Sequence, residues 1–185
     1  HQARPFPWPA LPQGRNPVEG LIPVARISDM LLRPGEPFDF DGKRLTYPDI
    51  RLVWWAGGNP FHHHQDLNRL VRAWKRPETV VVNEIFWNAL AKHADVVLPA
   101  TTPFEREDLA CTPRDDHLVA MHRLVDPVGE ARDDYAIFSD LAERLGVGEA
   151  FTEGRSAREW LRWLYTVARQ RAAERDIDMP EFAES

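Results

Sequence analysis

The sequence predicts an α/β fold, a short parallel sheet with helices on both faces, and three observations carry that expectation. Three apolar, β-branched runs, Ile50 to Ala56, Thr79 to Val82 and Asp95 to Pro99, each stop at turn or polar residues. Between the first two runs Leu67, Leu70, Val71 and Trp74 recur at helical spacing, and a short helix over Phe86 to His93 fits between the second and third. The length of 185 residues and 43% hydrophobic content agree with one packed domain. Strand, helix, strand, helix, strand at this spacing is a βαβαβ unit, with parallel strands and right-handed crossovers. Such a unit is Rossmann-like in its order of elements.

The elements follow in order. Residues 1–23 carry six of the 16 prolines (Pro5, Pro7, Pro9, Pro12, Pro17, Pro23), together with Phe6, Trp8 and Leu11. Proline fixes φ and removes a donor, so this stretch reads as an extended strap laid across a larger body. It is expected to be loose unless further domains cover it. Residues 24–185 read as one α/β domain. Val24, Ile27, Met30 and Leu31 mark a short helix that Arg33-Pro34-Gly35 stops. Phe38 to Tyr47, with Asp41-Gly42 as its two-residue turn, reads as a hairpin on the surface. The sheet and its helices form a core over about 50–146. Within it Ile50 to Ala56 has the near-continuous apolar character of a strand buried on both faces.

Pro103 to Asp116 is polar and proline-punctuated and reads as loop, and Leu118 to Leu124 as a further strand. Ile137, Phe138, Leu141, Ala142 and Leu145 mark an amphipathic helix that Gly146 ends. Ser156 and Glu159 have capping-box spacing for a last helix, about 156–175, carrying Trp160, Leu161, Leu164, Val167 and Ala168 inward.

Composition excludes several classes of function. With 23 basic and 29 acidic residues the formal charge is −6, the wrong sign for a nucleic-acid or anionic-membrane binder. No run approaches the ~20 apolar residues of a bilayer span. The single cysteine, Cys111, builds neither an internal disulfide nor a CxxC site. The chain opens on His1 rather than methionine, which with the strap suggests a piece of a longer protein.

Ligands of open parallel sheets bind beyond the carboxyl ends of the strands, and three features land there. The first is Gly57-Gly58-Asn59-Pro60, after the first strand. Paired glycines allow close backbone approach to a ligand, and a following helix offers free N–H groups; a tight strand-to-helix turn is the simpler explanation. This is not GxGxxG, so a dinucleotide redox cofactor is not indicated. The second is Glu84, whose carboxylate can accept two hydrogen bonds from ribose hydroxyls or from a guanine N1–H/N2–H edge. A solvated loop acid is its plain alternative. The third is Leu98-Pro99-Ala100-Thr101-Thr102, where ordinary turn chemistry competes with a role for the hydroxyls.

Other candidates carry less. Three consecutive histidines, His62 to His64, cannot all point at one tetrahedral ion without an unusual backbone, and no metal site is assigned. Cys111 lacks a base nearby in sequence, and Asp133-Asp134 sit where helix caps sit. Glu105 and Glu107 lie in the loop and receive no acid–base role. No catalytic residue is assigned.

The run from Trp55 to Arg69 (WAGGNPFHHHQDLNR) resembles a signature of the molybdopterin-dependent dimethyl sulfoxide reductase family, and most of all its trimethylamine N-oxide, dimethyl sulfoxide and biotin sulfoxide reductases. The match continues through Ala91 to Thr102 (AKHADVVLPATT), Phe104-Glu105-Arg106, Glu130 to Phe138 (EARDDYAIF) and Met179-Pro180-Glu181-Phe182, so it covers nearly the whole chain.

The resemblance implies a large, roughly four-domain enzyme of the bacterial periplasm or cytoplasm. It would act on a small S-oxide or N-oxide with a bis(molybdopterin guanine dinucleotide) molybdenum cofactor. This chain resembles only its third domain, which holds the guanosine end of one pterin nucleotide. The remaining domains of the parent polypeptide would be its partners, and the isolated chain is expected to lack both cofactor and activity. By family position Asn59 and His63 would contact the nucleotide from the Gly57-Gly58 turn, Glu84 would grip guanosine with Asn83 before it, and Asp134 would add a further carboxylate. The strand-tip reading reaches Asn59 and Glu84 independently, whereas Asp134 rests on the resemblance alone. The sequence departs from the family at Cys111 to His117, where relatives carry small residues and a tyrosine. Two other classes remain open: a free-standing nucleotide- or protein-binding module, and a metal-dependent hydrolase using His62 to His64.

Overall fold

A computed structural model describes residues 6–18, 20–112 and 117–182. Pro5 of the strap and residues 113–116 of the departing segment lie outside them. The chain divides into two compact units, one of residues 15–100 and one of residues 1–14 with 101–185.

In the first unit, a 3-10 turn at Val24–Arg26 leads into α1 (Ile27–Leu32). The Arg33 N–H bonds Asp29 O and Gly35 turns at φ 81°, which ends the helix where the sequence places its stop. β1 (Pro37–Phe40) and β2 (Lys43–Thr46) pair antiparallel. Asp41 (φ 49°) and Gly42 (φ 69°) both take the left-handed conformation that a two-residue type I′ hairpin requires. The hairpin is more than a surface excursion. Phe38 stacks on Tyr47 with centroids 4.2 Å apart, and both rings are buried.

Next come β3 (Leu52–Ala56), α2 (Pro60–His63), α3 (Leu67–Trp74), β4 (Thr79–Glu84), a 3-10 turn at Ala91–His93 and β5 (Val96–Pro99). The sheet is parallel in the order β3-β4-β5, with Ala56 opposite Asn83 and Glu84 opposite Pro99. The strand buried on both faces is therefore β4, whose Val80, Val81, Val82 and Asn83 are all buried, and not β3, which pairs on one side only and leaves Leu52 56% exposed. All three helices place side chains in the core cluster on the Val80/Val82 side: Leu31 from α1, Phe61 from α2, and Leu70, Ala73 and Trp74 from α3. Arg69 of α3 also donates to Asp29 of α1, which ties these two helices together.

The helix expected over Phe86 to His93 is reduced to the single turn Ala91–His93. Phe86 and Trp87 are exposed and offer no inward face, while Asn88 Oδ1 accepts from Ala91 N (3.1 Å) and starts the turn only there.

The second unit contains a 3-10 turn at Pro103–Glu105, then β6 (Asp108–Cys111), β7 (Leu118–Met121), α4 (Asp134–Arg144), α5 (Gly148–Thr152) and α6 (Ala157–Ala173). The stretch read as loop thus holds a strand. Leu109 and Ala110 pair with Ala120 and Val119 of β7, so four residues of modest apolar character gain a ladder from a partner distant in sequence. α4 starts at the Asp133 cap, which accepts from Ala136 N at 2.8 Å, and Gly146 (φ 73°) follows its end. Asp133→Ala is expected to cost about 1 kcal/mol, readable as a lower midpoint in urea unfolding.

α6 opens on the expected capping box: Glu159 Oε2 accepts from Ser156 N (2.7 Å), and Ser156 Oγ accepts from Glu159 N (3.3 Å). Trp160 and Ala168 are buried along it, and Leu161, Leu164 and Val167 are half-buried.

The strap departs from expectation, because its residues 6–8 pack within their own unit. Phe6 is buried with its ring 4.2 Å from Trp8, and the Arg175 guanidinium lies over it. Trp8 Nε1 donates to Thr112 O (2.9 Å) and Arg171 Nη1 to Pro7 O (2.6 Å). A proline-rich segment cannot form a ladder, but its aromatic rings and free carbonyls suit the arginines of a neighbouring helix.

Candidate functional site

The pairing register brings the first unit's site residues to one end of the sheet. With Ala56 opposite Asn83, the chain turns at Gly57-Gly58 beside Glu84. Gly57 (φ 79°) and Gly58 (φ 71°) both need the left-handed conformation, and nothing stands within 4 Å of where either Cβ would be, so backbone shape, not crowding, calls for glycine.

Asn59 caps α2, its Oδ1 accepting from Phe61 N at 3.0 Å, while its Nδ2 hydrogens have no partner among the described residues. This corrects the expectation of free N–H groups after the glycines: α2 is only four residues long, and the Phe61 N–H is already taken. His62 and His63 are exposed, and the His63 ring lies 5.6 Å from that of His64. Burial, and then the neighbouring His63, pushes the His64 imidazole below its usual pKa. Among the described residues, no group of three His, Cys, Asp or Glu side chains is placed to hold a metal.

Asn83 is buried, and its Oδ1 accepts from Trp54 Nε1 at 3.0 Å, which orients the amide. Glu84 is half-buried at the tip of β4. Its Oε1 accepts from Ile85 N (2.9 Å) and Phe86 N (3.4 Å), while Oε2 has no partner among the described residues. The carboxylate is thereby held in one orientation with acceptor capacity to spare.

Asp134 belongs to the second unit. Asp133 is the cap, whereas Asp134 is the first helical residue and exposed; it lines a cleft of about 750 Å³ with Thr101, Arg106, Arg132, Tyr135 and Trp160. Arg106, to which the sequence assigned no role, is fixed there by bonds from Nη1 to Thr101 O (2.8 Å) and from Nε to Asp108 Oδ2 (3.2 Å). The one signal for it in the sequence is its place in the Phe104-Glu105-Arg106 match.

Buried Glu105 anchors the same wall. Its carboxylate accepts from Thr102 N and Oγ1 (2.7 and 2.8 Å) and from Val128 N (2.8 Å), and these bonds hold its pKa below the usual glutamate value. A carboxyl with a lowered folded-state pKa adds stability above its unfolded pKa and gives it up as pH falls through the folded one. Wild type should therefore lose stability on acidification below the ordinary glutamate range, and Glu105→Gln should lose less over that interval in urea titrations at stepped pH.

Comparison with known proteins identifies the class. The family model described as molybdopterin oxidoreductase matches residues 11–144, and the chain belongs to that family. Among its members, it is 53% identical over 175 residues to the biotin sulfoxide reductase of Cereibacter sphaeroides, covering 94% of this chain and 24% of that protein. It is 50% identical over 163 residues to the dimethyl sulfoxide/trimethylamine N-oxide reductase of the same organism, covering 87% and 20%. It is 48% identical over 168 residues to the trimethylamine-N-oxide reductase of Haemophilus influenzae, covering 89% and 20%. The chain thus spans only a fifth to a quarter of these relatives. Among solved structures, acetylene hydratase from Pelobacter acetylenicus is similar, with a TM-score of 0.50 and 25% identity over 56% of this chain and 14% of that one.

Proposed function

We propose that this chain holds the guanosine end of a molybdopterin guanine dinucleotide within an S-oxide or N-oxide reductase. The observation that carries this reading is the register of β3 and β4, which sets the Gly57-Gly58-Asn59 turn beside the Asn83-Glu84 tip. The residues suit the group. An open left-handed glycine turn lets the backbone approach a ligand, the Asn59 Nδ2 hydrogens can donate, and the Glu84 carboxylate matches the paired N1–H and N2–H donors of guanine. His63, exposed on the same turn, would donate or accept at the nucleotide's edge.

In this reading Asn83 is a positioning residue, held by Trp54 behind the Glu84 tip. The part given to Asp134 rests on the family resemblance alone. When bound, the molybdenum–pterin group supplies oxygen-atom and electron transfer. This chain's residues bind and orient its nucleotide end, and none of them is assigned a step in the reduction. The other domains of the longer relatives would be its partners.

The test is the guanine nucleotide content of the full-length protein, measured as GMP freed by acid hydrolysis. Wild type should yield GMP and Glu84→Ala much less; equal yields would contradict the role of Glu84.

A further inference from the structure

β3 has the residues of a central strand and the place of an edge strand. Its sequence, Leu52-Val53-Trp54-Trp55-Ala56, is apolar throughout. Such runs belong to parallel strands that are covered by their neighbours. Yet β3 pairs with β4 alone, and Leu52 is 56% exposed.

The register shows which backbone groups are left over. Thr79 N donates to Arg51 O (3.2 Å), so in the parallel ladder residues 51, 53 and 55 turn their N–H and C=O towards β4. Those of Leu52 and Ala56 point the other way, and neither residue makes a backbone hydrogen bond on that side among the described residues.

Natural sheets guard their open edges with charges, proline, bulges or very short strands. β5, the opposite edge, follows that rule: it has four residues and ends in Pro99, which has no N–H to offer. β3 has none of these devices. It carries no charge and no proline, it pairs without a bulge from Leu52↔Thr79 to Ala56↔Asn83, and the flanking Arg51 is occupied by Glu78.

We propose that the outer edge of β3 is an interaction surface that receives one more β-strand, supplied by a part of the full-length protein outside this chain. The relatives point to that source, since this chain matches only 24% of the biotin sulfoxide reductase to which 94% of it aligns. The incoming strand is expected to be short, apolar and parallel to β3. A parallel neighbour needs a long crossover, so it comes from a segment distant along the polypeptide. A second copy of the chain fits the edge less well. Two-fold symmetry would set the two β3 strands antiparallel, in a sheet whose other pairs are parallel. The proposal does not rest on guanine binding, and a protein without GMP would leave it standing.

Site-resolved hydrogen–deuterium exchange on the full-length protein reads the Leu52 and Ala56 amides directly. Paired, they should exchange about a hundredfold or more slower than unstructured amides, in the range of the Val81 and Val82 amides of β4. Exchange as fast as in an exposed loop would overturn the proposal. So would protection that vanishes on dilution as a dimer dissociates, because a second copy would then be the neighbour.

Two variants separate a strand from any other cover. Leu52→Pro removes the outward N–H at the first residue of the strand, where proline is tolerated if the edge is open. Leu52→Ala trims the side chain and keeps the N–H. The Ala56 amide should exchange about tenfold faster in Leu52→Pro than in Leu52→Ala, as expected for one lost ladder bond. Equal exchange in the two variants would overturn the proposal, since a cover without a ladder makes no use of that N–H. Wild-type exchange decides the matter on its own if Leu52→Pro fails to fold.

Discussion

Glu84→Ala in the full-length protein is expected to weaken retention of the guanine nucleotide about a hundredfold. Hydrogen bonds to a charged group contribute about 1.5–3 kcal/mol each, and Glu84 is placed to accept two. Losing both removes about 3 kcal/mol or more, and each 1.4 kcal/mol is tenfold in affinity. Conservative variants sharpen the expectation. Glu84→Asp keeps the carboxylate and should retain most nucleotide. Glu84→Gln offers one acceptor where guanine presents two donors, so it should fall between Asp and Ala. The folded protein should tolerate all three, because among the described residues the hydrogen bonds given up are local ones from Ile85 N and Phe86 N.

Leu70→Ala should be the most destabilising single change in the first unit. Leu70 is fully buried in the cluster with Leu31, Phe61, Trp74, Val80, Val82 and Leu90. Truncating a leucine in such a site costs about 3–4 kcal/mol, from lost transfer free energy and from a cavity that neighbours fill only partly. Against a typical net stability of about 5–15 kcal/mol this is a large fraction. Urea unfolding followed by tryptophan fluorescence should show the midpoint falling while the slope stays unchanged. Leu67→Ala, on the same helix but 43% exposed, should shift it far less.

Much of the parallel sheet was legible because its signals are local. Continuous apolar runs ending at Gly57-Gly58, Asn83-Glu84 and Pro99 mark strands, and the Asp133 cap, Gly146 and the Ser156/Glu159 box mark helix ends within a few residues. What the sequence misassigned depends on partners distant along the chain. β6 exists through pairing with β7. Which strand is central is decided by pairing as well: β3 is the more apolar run, but β4 takes the middle. Phe86 and Trp87 lend residues 86–93 a hydrophobic pattern, yet both rings face outward, so only one turn forms. α2 and α5, at four and five residues, are too short for periodicity to register.

For the candidate site, the strand-tip rule reached Gly58, Asn59 and Glu84 because glycine pairs and carboxylates at strand ends are visible in one dimension. Asn83 and His63 came with the family motif, as did Asp134. Arg106 was in view only as a member of a matched run, and Thr101 as part of the third strand-end feature, where turn chemistry was the simpler explanation. The anchoring of the Arg106 guanidinium arises from its bond to Thr101 O and the ion pair to Asp108. The similarity to acetylene hydratase is a reminder that a shared fold need not fix the reaction, so the functional claim rests on these residues and not on the sheet alone.

The most direct measurement is a crystal structure of the cofactor-loaded full-length protein, read at one distance. The account predicts a Glu84 carboxylate oxygen within about 3.2 Å of the guanine N1 or N2, with the Gly57-Gly58 turn against the nucleotide. A guanine bound elsewhere, with the Glu84 carboxylate turned to solvent, would contradict it.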